Sequence, residues 1–327
     1  SAGPESLADM TPADLANYSV KQRPPVCTVY RKYQICGMGP PSSGALTMAM
    51  VLRLLEPFDL GGEALKPYAV HLIAEAEKLA YADRRRYIAD TDFVPLPKGL
   101  LAKSYLAARR KLINANASMG RAKPGRPRGA RHGAFGADAT LESSGTTHIS
   151  VVDASGNAAA MTTTIESAFG SGLMAGGVLL NNELTDFAFT PTDNKGRPVA
   201  NRVEGGKRPR SSMSPTIVFD GQGKLYMVLG SPGGTRIMLY VLKALIAHLD
   251  WGQDAQAAVS LPAFGSRNGP FEIEVGAHAA RLATAMRARG HRVRAAPMTS
   301  GLHVIIAREG TLEGGADPRR EGVALGD

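Results

Sequence analysis

The sequence predicts an α+β fold, in which antiparallel strands pair through turns and helices come in runs. Three observations carry this prediction. An apolar helical period runs through residues 66–89, β-rich segments flank the turn at 153–157, and an amphipathic helix follows Gly233 and Gly234. Strands that meet through turns, with helices grouped between them, are typical of layered α+β domains. The 327 residues allow two domains or one large one.

The amino-terminal part of the chain is predicted to hold a hairpin and several helices. Thr11 followed by Pro12 starts a helix well, because Thr caps the first turn and Pro fits its first position. Abundant Ala and Glu, together with the apolar spacing, make 66–89 the strongest helix. The predicted elements are a helix at 11–20, a hairpin at 26–38, and helices at 45–56, 66–89 and 100–114.

The segment 115–145 is basic, rich in Gly and Ala, and has neither a helical nor a strand period. Its dense cations are Arg121, Lys123, Arg126, Arg128 and Arg131. Pro and Gly interrupt them, so they cannot form one helical basic face, and no aromatic residue among them could stack on a base. We therefore expect a solvated, flexible basic tail and no nucleic-acid partner, despite the net charge of +9. A second basic group, 287–294, is interpreted as a helix end that runs into a strand.

From Thr146 onward the composition becomes β-rich and turn signals become frequent. Two helices interrupt the strands: an amphipathic helix follows the paired glycines, and a second helix begins at His278. The predicted elements are strands at 146–153, 158–166, 177–182, 216–219 and 225–230, a helix at 236–248, a strand at 271–275, a helix at 278–289, and strands at 292–295 and 302–308.

The first of these strand pairs has an unusual polar face. A turn centred on Ser155 places Thr146 opposite Thr164. Side chains alternate along a strand, so Glu166 is expected on the same face as both threonines. An ordinary Thr-rich edge strand would show the same spacing, because Thr has a high strand propensity.

Composition excludes several classes of protein. With 44% apolar and 20% charged residues, wholesale disorder is excluded. No apolar stretch reaches the length of a membrane-spanning helix, and the first residues lack the pattern of a signal peptide. Cys27 and Cys36 flank a predicted turn, and either a cross-strand disulfide or two free thiols fits this spacing. With no His or third Cys beside them, zinc is not expected.

Several short motifs follow one another along the chain. They are GPPSSG (39–44), TTHISVVDASGN (146–157), FGSG (169–172), NNELTDF (181–187), KRPRSSMSPTIV (207–218), GSPGG (230–234) and DPRR (317–320). This series closely resembles the γ-glutamyltransferase (γ-glutamyltranspeptidase, glutathione hydrolase) family of N-terminal-nucleophile hydrolases. The resemblance runs from about residue 10 to the end. It implies a four-layer αββα sandwich, here lacking its amino-terminal portion.

The resemblance also implies self-cleavage of the Gly145–Thr146 bond. Residues 1–145 would form the carboxy-terminal portion of a large subunit, ending in the basic tail at 115–145. Residues 146–327 would form the small, catalytic subunit, and the two would make a heterodimer from one precursor. The freed α-amino group of Thr146, with an ordinary pKa of about 7.7–8.0, can act as base toward its own hydroxyl.

By the same resemblance, Thr164 would orient Thr146, and Gly233 and Gly234 would supply the N–H groups of an oxyanion hole. His148 is interpreted as structural. The residues implied to bind the α-amino acid head group of a donor are Glu166, Glu183 and Asp186 for its ammonium group and Ser211 and Ser212 for its carboxylate. No metal or other cofactor is expected. The implied partners are glutathione or other γ-glutamyl compounds, with water or an amino acid as acceptor.

Two features depart from the family pattern. Residue 166 is an amide in some relatives, and Glu is expected to favour the ammonium group. The chain is also short: the large-subunit part is about half the usual length, and no residue can be assigned the role of the arginine that clamps the donor carboxylate. A fragment, a truncated gene product and a chain completed by another chain all fit, as does an inactive remnant. A cephalosporin or poly-γ-glutamate acylase is the alternative activity, and a periplasmic or secreted location is expected from the family.

Overall fold

A computed structural model describes residues 11–131, 133–136, 138, 140, 145–308 and 310–326. The described helices are α1 (Pro12–Ala16), α2 (Gly44–Leu55), α3 (Pro67–Tyr87), α4 (Lys103–Arg110), α5 (Ile237–Leu249), α6 (Ala255–Ser260) and α7 (Ala279–Ala288). The described strands are β1 (Val26–Tyr30), β2 (Tyr33–Gly37), β3 (Thr146–Val152), β4 (Ala158–Thr164), β5 (Met174–Ala175), β6 (Val178–Leu179), β7 (Thr216–Phe219), β8 (Leu225–Gly230), β9 (Phe264–Gly265), β10 (Phe271–Glu274), β11 (Val293–Ala296), β12 (His303–Arg308) and β13 (Thr311–Ala316).

The centre of the α+β fold is an antiparallel sheet with the strand order β1-β2-β7-β8-β12-β13. Helices α2 and α5 contact this sheet, and α3 packs against α2. The two central helices are apolar nearly all round, which is why α2 and α5 are buried along almost their whole length. One contiguous core joins these helices to the sheet.

The β3–β4 hairpin packs against β7, β8 and β12 of the same sheet. Its register pairs Thr146 with Thr164, as the position of the turn predicted. The alternate side chains of Ile149, Val151 and Met161 lie on the opposite, exposed face. The described residues thus form helix, sheet and hairpin layers, consistent with part of the expected sandwich.

Most predicted elements are present within a few residues of their predicted bounds. The strand expected at 177–182 is instead the short β5–β6 ribbon, because Gly176 and Gly177 both have positive φ and turn the chain back between them. Helix α6 and strand β13 were not predicted, because α6 is only six residues long and two glycines lie within β13.

The segment expected to be a flexible, solvated tail is hydrogen-bonded to the body at several of its described residues, while its basic side chains are exposed. The Ala122 N–H donates to Asn268 Oδ1 and its carbonyl accepts from Asn268 Nδ2. Asp138 is buried and pairs with Arg210 at 2.8 Å. Burial would raise the pKa of Asp138, but the guanidinium of Arg210 lowers it below its ordinary value. Backbone and side-chain hydrogen bonds hold this segment in the absence of any periodic pattern.

The two cysteines form a disulfide between the paired strands β1 and β2, which settles the alternative left open by their spacing. No helix in the described part of the chain is both long enough and apolar enough to cross a membrane.

Candidate active site

A small pocket opens where the start of β3 meets the loops before β7 and α5. Its volume is about 250 Å³, including the open mouth. The lining residues are Thr146, Thr164, Glu166, Glu183, Asp186, Ser211, Ser212, Met213, Gly234 and Ile237. The pocket therefore gathers nearly all of the site residues that the sequence singled out. Thr164 lies 18 positions after Thr146 in the sequence, and Gly234 lies 88 positions after it.

The hydroxyl groups of the two paired threonines lie beside the bond that precedes Thr146. Thr146 Oγ1 donates to Thr164 Oγ1 over 3.2 Å, and the Glu166 N–H donates to the same Thr164 oxygen over 2.8 Å. Thr164 Oγ1 in turn lies 3.4 Å from the carbonyl oxygen of Gly145. Because a hydroxyl has one proton and two lone pairs, the two accepted bonds leave the Thr164 proton for that carbonyl.

This arrangement has a chemical consequence for the Gly145–Thr146 bond. A hydrogen bond to the Gly145 carbonyl draws charge toward its oxygen, where negative charge would develop if a nucleophile attacked the carbon. The Thr146 hydroxyl belongs to the adjacent residue and is held by Thr164 on the same side. Gly145 is also held close: its N–H donates to the Glu166 carbonyl over 2.6 Å, and a Cβ at residue 145 would lie 2.3 Å from that oxygen.

One wall of the pocket is acidic. Glu166 has a positive φ, and its carboxylate accepts a hydrogen bond from Asn182. Glu183 and Asp186 lie on the short 3-10 turn that follows, and the Asp186 carbonyl accepts from Asn201 Nδ2 over 2.7 Å. Three carboxylates on one side of a small pocket make it suitable for a cationic group.

A second wall holds the hydroxyl groups of Ser211 and Ser212, with Arg84 buried behind it. The Ser43 hydroxyl donates to the Ser211 carbonyl over 2.7 Å and accepts from Arg84 Nε over 2.8 Å. Arg84 Nη2 donates to Ser212 Oγ over 2.6 Å. The Ser212 hydroxyl that lines the pocket is therefore backed by a buried guanidinium group, an arrangement that suits a carboxylate.

Sequence reasoning missed Arg84. The available signal was the run of three arginines that ends α3, in a helix otherwise rich in Ala and apolar residues. Cations favour a helix carboxy terminus in any protein, so the run alone did not single out a site residue.

Gly233 and Gly234 lie at the turn into α5. Their φ angles are 135° and 56°, a region that favours glycine. A Cβ at residue 233 would lie 2.5 Å from the ring of Tyr240, so the backbone could not keep this path with a side chain there. The next residue is anchored by the Tyr81 hydroxyl, which donates to the Thr235 carbonyl over 2.5 Å. Gly234 lines the pocket, and Gly233 directly precedes it.

His148 lies two residues after Thr146, on the buried face of β3. Burial, with a smaller effect from His303, lowers the pKa of His148 to about 3, so its ring is neutral at physiological pH. The ring nitrogens contact the hydroxyls of Thr162 and Ser150 at 2.8 and 3.0 Å. These contacts fit the structural role predicted for this residue.

Among the described residues, one group has the donors to hold a metal ion: His71, Glu75 and His291, all buried. The His71 and His291 rings are hydrogen-bonded to each other at 2.7 Å. The Lys78 ammonium group donates to Glu75 at 2.7 Å and lies 3.3 Å from His291 Nδ1. The Lys78 ammonium group already balances the charge of Glu75. The three residues are therefore better described as part of a buried hydrogen-bond chain than as a metal site.

The sequence of this chain matches a known protein family and two of its curated members. The model of the gamma-glutamyltranspeptidase family matches residues 5–327. The chain is 39% identical to a glutathione hydrolase proenzyme of Escherichia coli (strain K12), over 95% of this chain and 53% of that protein. It is 36% identical to a glutathione hydrolase proenzyme of Bacillus subtilis (strain 168), over 97% of this chain and 55% of that protein.

The fold has solved counterparts. A cephalosporin acylase from Bacillus halodurans superposes with a TM-score of 0.82 at 23% identity, over 96% of this chain and 55% of that one. The chain spans about half the length of the curated relatives it matches. The family match extends over nearly every residue, including the pocket and both of its walls. On this basis the chain belongs to the gamma-glutamyltranspeptidase family.

Proposed function

We propose that this chain cuts itself at Gly145–Thr146 and then transfers γ-glutamyl groups through Thr146 to water or to an amino acid. Glutathione and other γ-glutamyl compounds are the proposed donors. The observation that carries the proposal is the hydrogen-bonded set of Thr146, Thr164 and the Gly145 carbonyl at a pocket lined by three carboxylates and by Ser211 and Ser212.

The first step follows from the placement of the threonines. Attack of Thr146 Oγ1 on the Gly145 carbonyl carbon forms an ester and breaks the peptide C–N bond, and the nitrogen becomes the α-amino group of Thr146. Hydrolysis of the ester then separates residues 1–145 from residues 146–327. Names of the relatives support this step, since both compared glutathione hydrolases are called proenzymes.

The second step uses the new amino terminus. The α-amino group takes the proton of the Thr146 hydroxyl, which attacks the γ-carbonyl of the donor. The amide C–N bond of the donor breaks as the Thr146 ester forms, and the amine leaves with the proton that the α-amino group took up. Water or an amino acid then attacks the ester and carries away the γ-glutamyl group, and a proton returns to the Thr146 hydroxyl. Gly233 and Gly234 are proposed to stabilise the oxyanion with backbone N–H groups.

The two walls support a donor with a free α-amino acid head group. The carboxylates of Glu166, Glu183 and Asp186 would bind its ammonium group. Ser211 and Ser212 would bind its carboxylate, with Arg84 supplying positive charge behind Ser212. Acylases are also among the relatives: an acylase ACY 1 proenzyme of Pseudomonas sp. (strain V22) is 37% identical over 96% of this chain. The three carboxylates of the acidic wall favour the γ-glutamyl donor over an acylase substrate that lacks an ammonium group.

A periplasmic or secreted location is proposed on independent grounds. The disulfide between Cys27 and Cys36 fits an oxidising compartment, because cytosolic thiols are kept reduced.

The test is the intact mass of the purified chain during incubation near neutral pH, followed by γ-glutamyl hydrolysis assays. Two species that match residues 1–145 and 146–327 are expected, and Thr146→Ala should remain uncut and inactive. Thr147→Ala is the matched control, because residue 147 follows on the same strand but lies on its exposed face. An uncut parent chain, or γ-glutamyl hydrolysis retained by Thr146→Ala, would contradict the proposal.

A further inference from the structure

A second pocket lies between the carboxy-terminal half of α3 and three loops, and it shares no lining residue with the pocket around Thr146. Its volume is about 370 Å³, which is within the range of small-molecule sites. The lining residues are Lys78, Arg85, Ser118, Gly120, Arg121, Asn268, Gly269, Pro270, Gly290 and Arg292.

The fold brings together cations that are far apart in the sequence. Arg85 comes from the end of α3, Arg121 from the first basic group and Arg292 from the second. The Ser118 N–H donates to the Arg289 carbonyl over 2.7 Å, which holds the two basic groups side by side. The cations that looked like unrelated solvated charges in the sequence therefore converge on one cavity.

The positive charge of this pocket is not neutralised by the residues that line it. Four of the ten lining residues are cationic, and none is a carboxylate. Lys78 is paired with the buried Glu75. Within the described ranges of the chain, Arg85, Arg121 and Arg292 take part in no ion pair, so no described carboxylate balances these three lining guanidinium groups.

Burial and like charges both act against the charged form of Arg85. Burial, followed by the like charges of Arg84, Arg210, Arg121 and Arg267, lowers the pKa of Arg85 to about 10. The group is still protonated at neutral pH, so the cost of its charge persists in the folded protein. An anion bound in the cavity would relieve that cost, because opposite charges at short range stabilise the charged form.

We propose that this pocket binds a small organic polyanion, carrying a phosphoryl group or several carboxylates, between Arg85, Arg121 and Arg292. Guanidinium groups bind such oxygens with paired N–H donors. The Asn268 amide is held in place by Ala122 at the floor of the same cavity and fixes the loop that carries Gly269. The site is separate from γ-glutamyl transfer, so its occupancy does not depend on self-cleavage.

Binding is measured by calorimetry with inorganic pyrophosphate and citrate as probes, at constant ionic strength, on the Thr146→Ala chain. Acetate serves as the monovalent control. The double variant Arg121→Ser/Arg292→Ser removes two exposed pocket cations. Arg128→Ser/Arg294→Ser is the matched control, because it removes two exposed cations from the same two basic groups but outside the pocket.

We expect at least one probe to bind saturably and more tightly than acetate. Its affinity should fall by about tenfold or more in the pocket variant, because charge-assisted hydrogen bonds are lost. The control variant should stay within about twofold. Tighter binding of pyrophosphate identifies a phosphoryl ligand, and tighter binding of citrate identifies a polycarboxylate. Equal weakening in both double variants, or no saturable binding of either probe below about 10 mM, overturns the proposal.

Discussion

Replacing Thr164 by Val tests whether its hydroxyl activates the bond at Gly145. Val has nearly the same shape as Thr, so the substitution removes the hydroxyl with little change in packing. Three hydrogen bonds are lost: the one accepted from Thr146, the one accepted from the Glu166 N–H, and the one donated to the Gly145 carbonyl. Only the last touches the oxygen on which negative charge develops during cleavage.

The size of the effect follows from these contacts. Loss of one donor to a developing oxyanion slows comparable reactions by about 10²–10³. The bond here is long, at 3.4 Å, so we expect the lower end of that range, about 100-fold. The Glu166 N–H loses its acceptor, which lowers the free energy of unfolding by about 1–3 kcal/mol.

The assay is the rate at which the 146–327 fragment appears by intact mass. Thr163→Val is the matched control, because the same replacement falls on the exposed face of β4 and should leave the rate unchanged. Thr164→Ser should restore most of the rate. If Thr164→Val cut at a rate within about threefold of the parent, the donated hydrogen bond would not be what activates the carbonyl.

Three further predictions test the surroundings of the site. Arg84→Met removes the charge behind Ser212, so the Kd for a γ-glutamyl donor, measured by calorimetry, should rise by about tenfold or more; an unchanged Kd would remove Arg84 from carboxylate binding. Gly230→Ala places a Cβ about 2.2 Å from the His148 ring, so thermal unfolding should show a loss of about 1–3 kcal/mol, and none if β3 can move away. Burial lowers the pKa of Lys243 to about 7, whereas in the unfolded chain it is about 10.4. The unfolded chain therefore binds more protons between these values, and the free energy of unfolding should rise with pH by up to about 1.4 kcal/mol per unit. Urea titrations at about pH 7.5 and about pH 9 should show this rise, and Lys243→Met should lack it.

Local sequence patterns predicted the helices and strands in which apolar residues or turn residues are regularly spaced. The helical spacing at 66–89 and the turn at 153–157 led to α3 and to the observed pairing of β3 with β4. The segment after α4 could not be predicted in this way, because single hydrogen bonds and the buried Asp138–Arg210 pair fix it, and none of these leaves a period in the sequence.

The residues of the candidate site were likewise predictable only in part from the sequence. Motifs pointed to both walls of the pocket, but spacing alone would have left Ser211 and Ser212 as an ordinary loop. Arg84 was missed because its role depends on contact with Ser43 and Ser212, which lie 41 and 128 positions away. Long-range contacts of this kind are properties of the folded chain, and a local reading of α3 cannot find them.

The Thr164 hydroxyl has different proposed roles before and after cleavage. In the intact chain its proton is directed to the Gly145 carbonyl, whereas in a chain cut by the proposed reaction that carbonyl would belong to the separate fragment 1–145. The oxyanion of the proposed transfer reaction would instead lie against the N–H groups of Gly233 and Gly234. Thr164 would then only orient the Thr146 hydroxyl, a weaker demand than oxyanion stabilisation. We therefore expect Thr164→Val to slow self-cleavage more than it slows γ-glutamyl hydrolysis by the fraction of chain that has been cut, when both rates are measured on one sample.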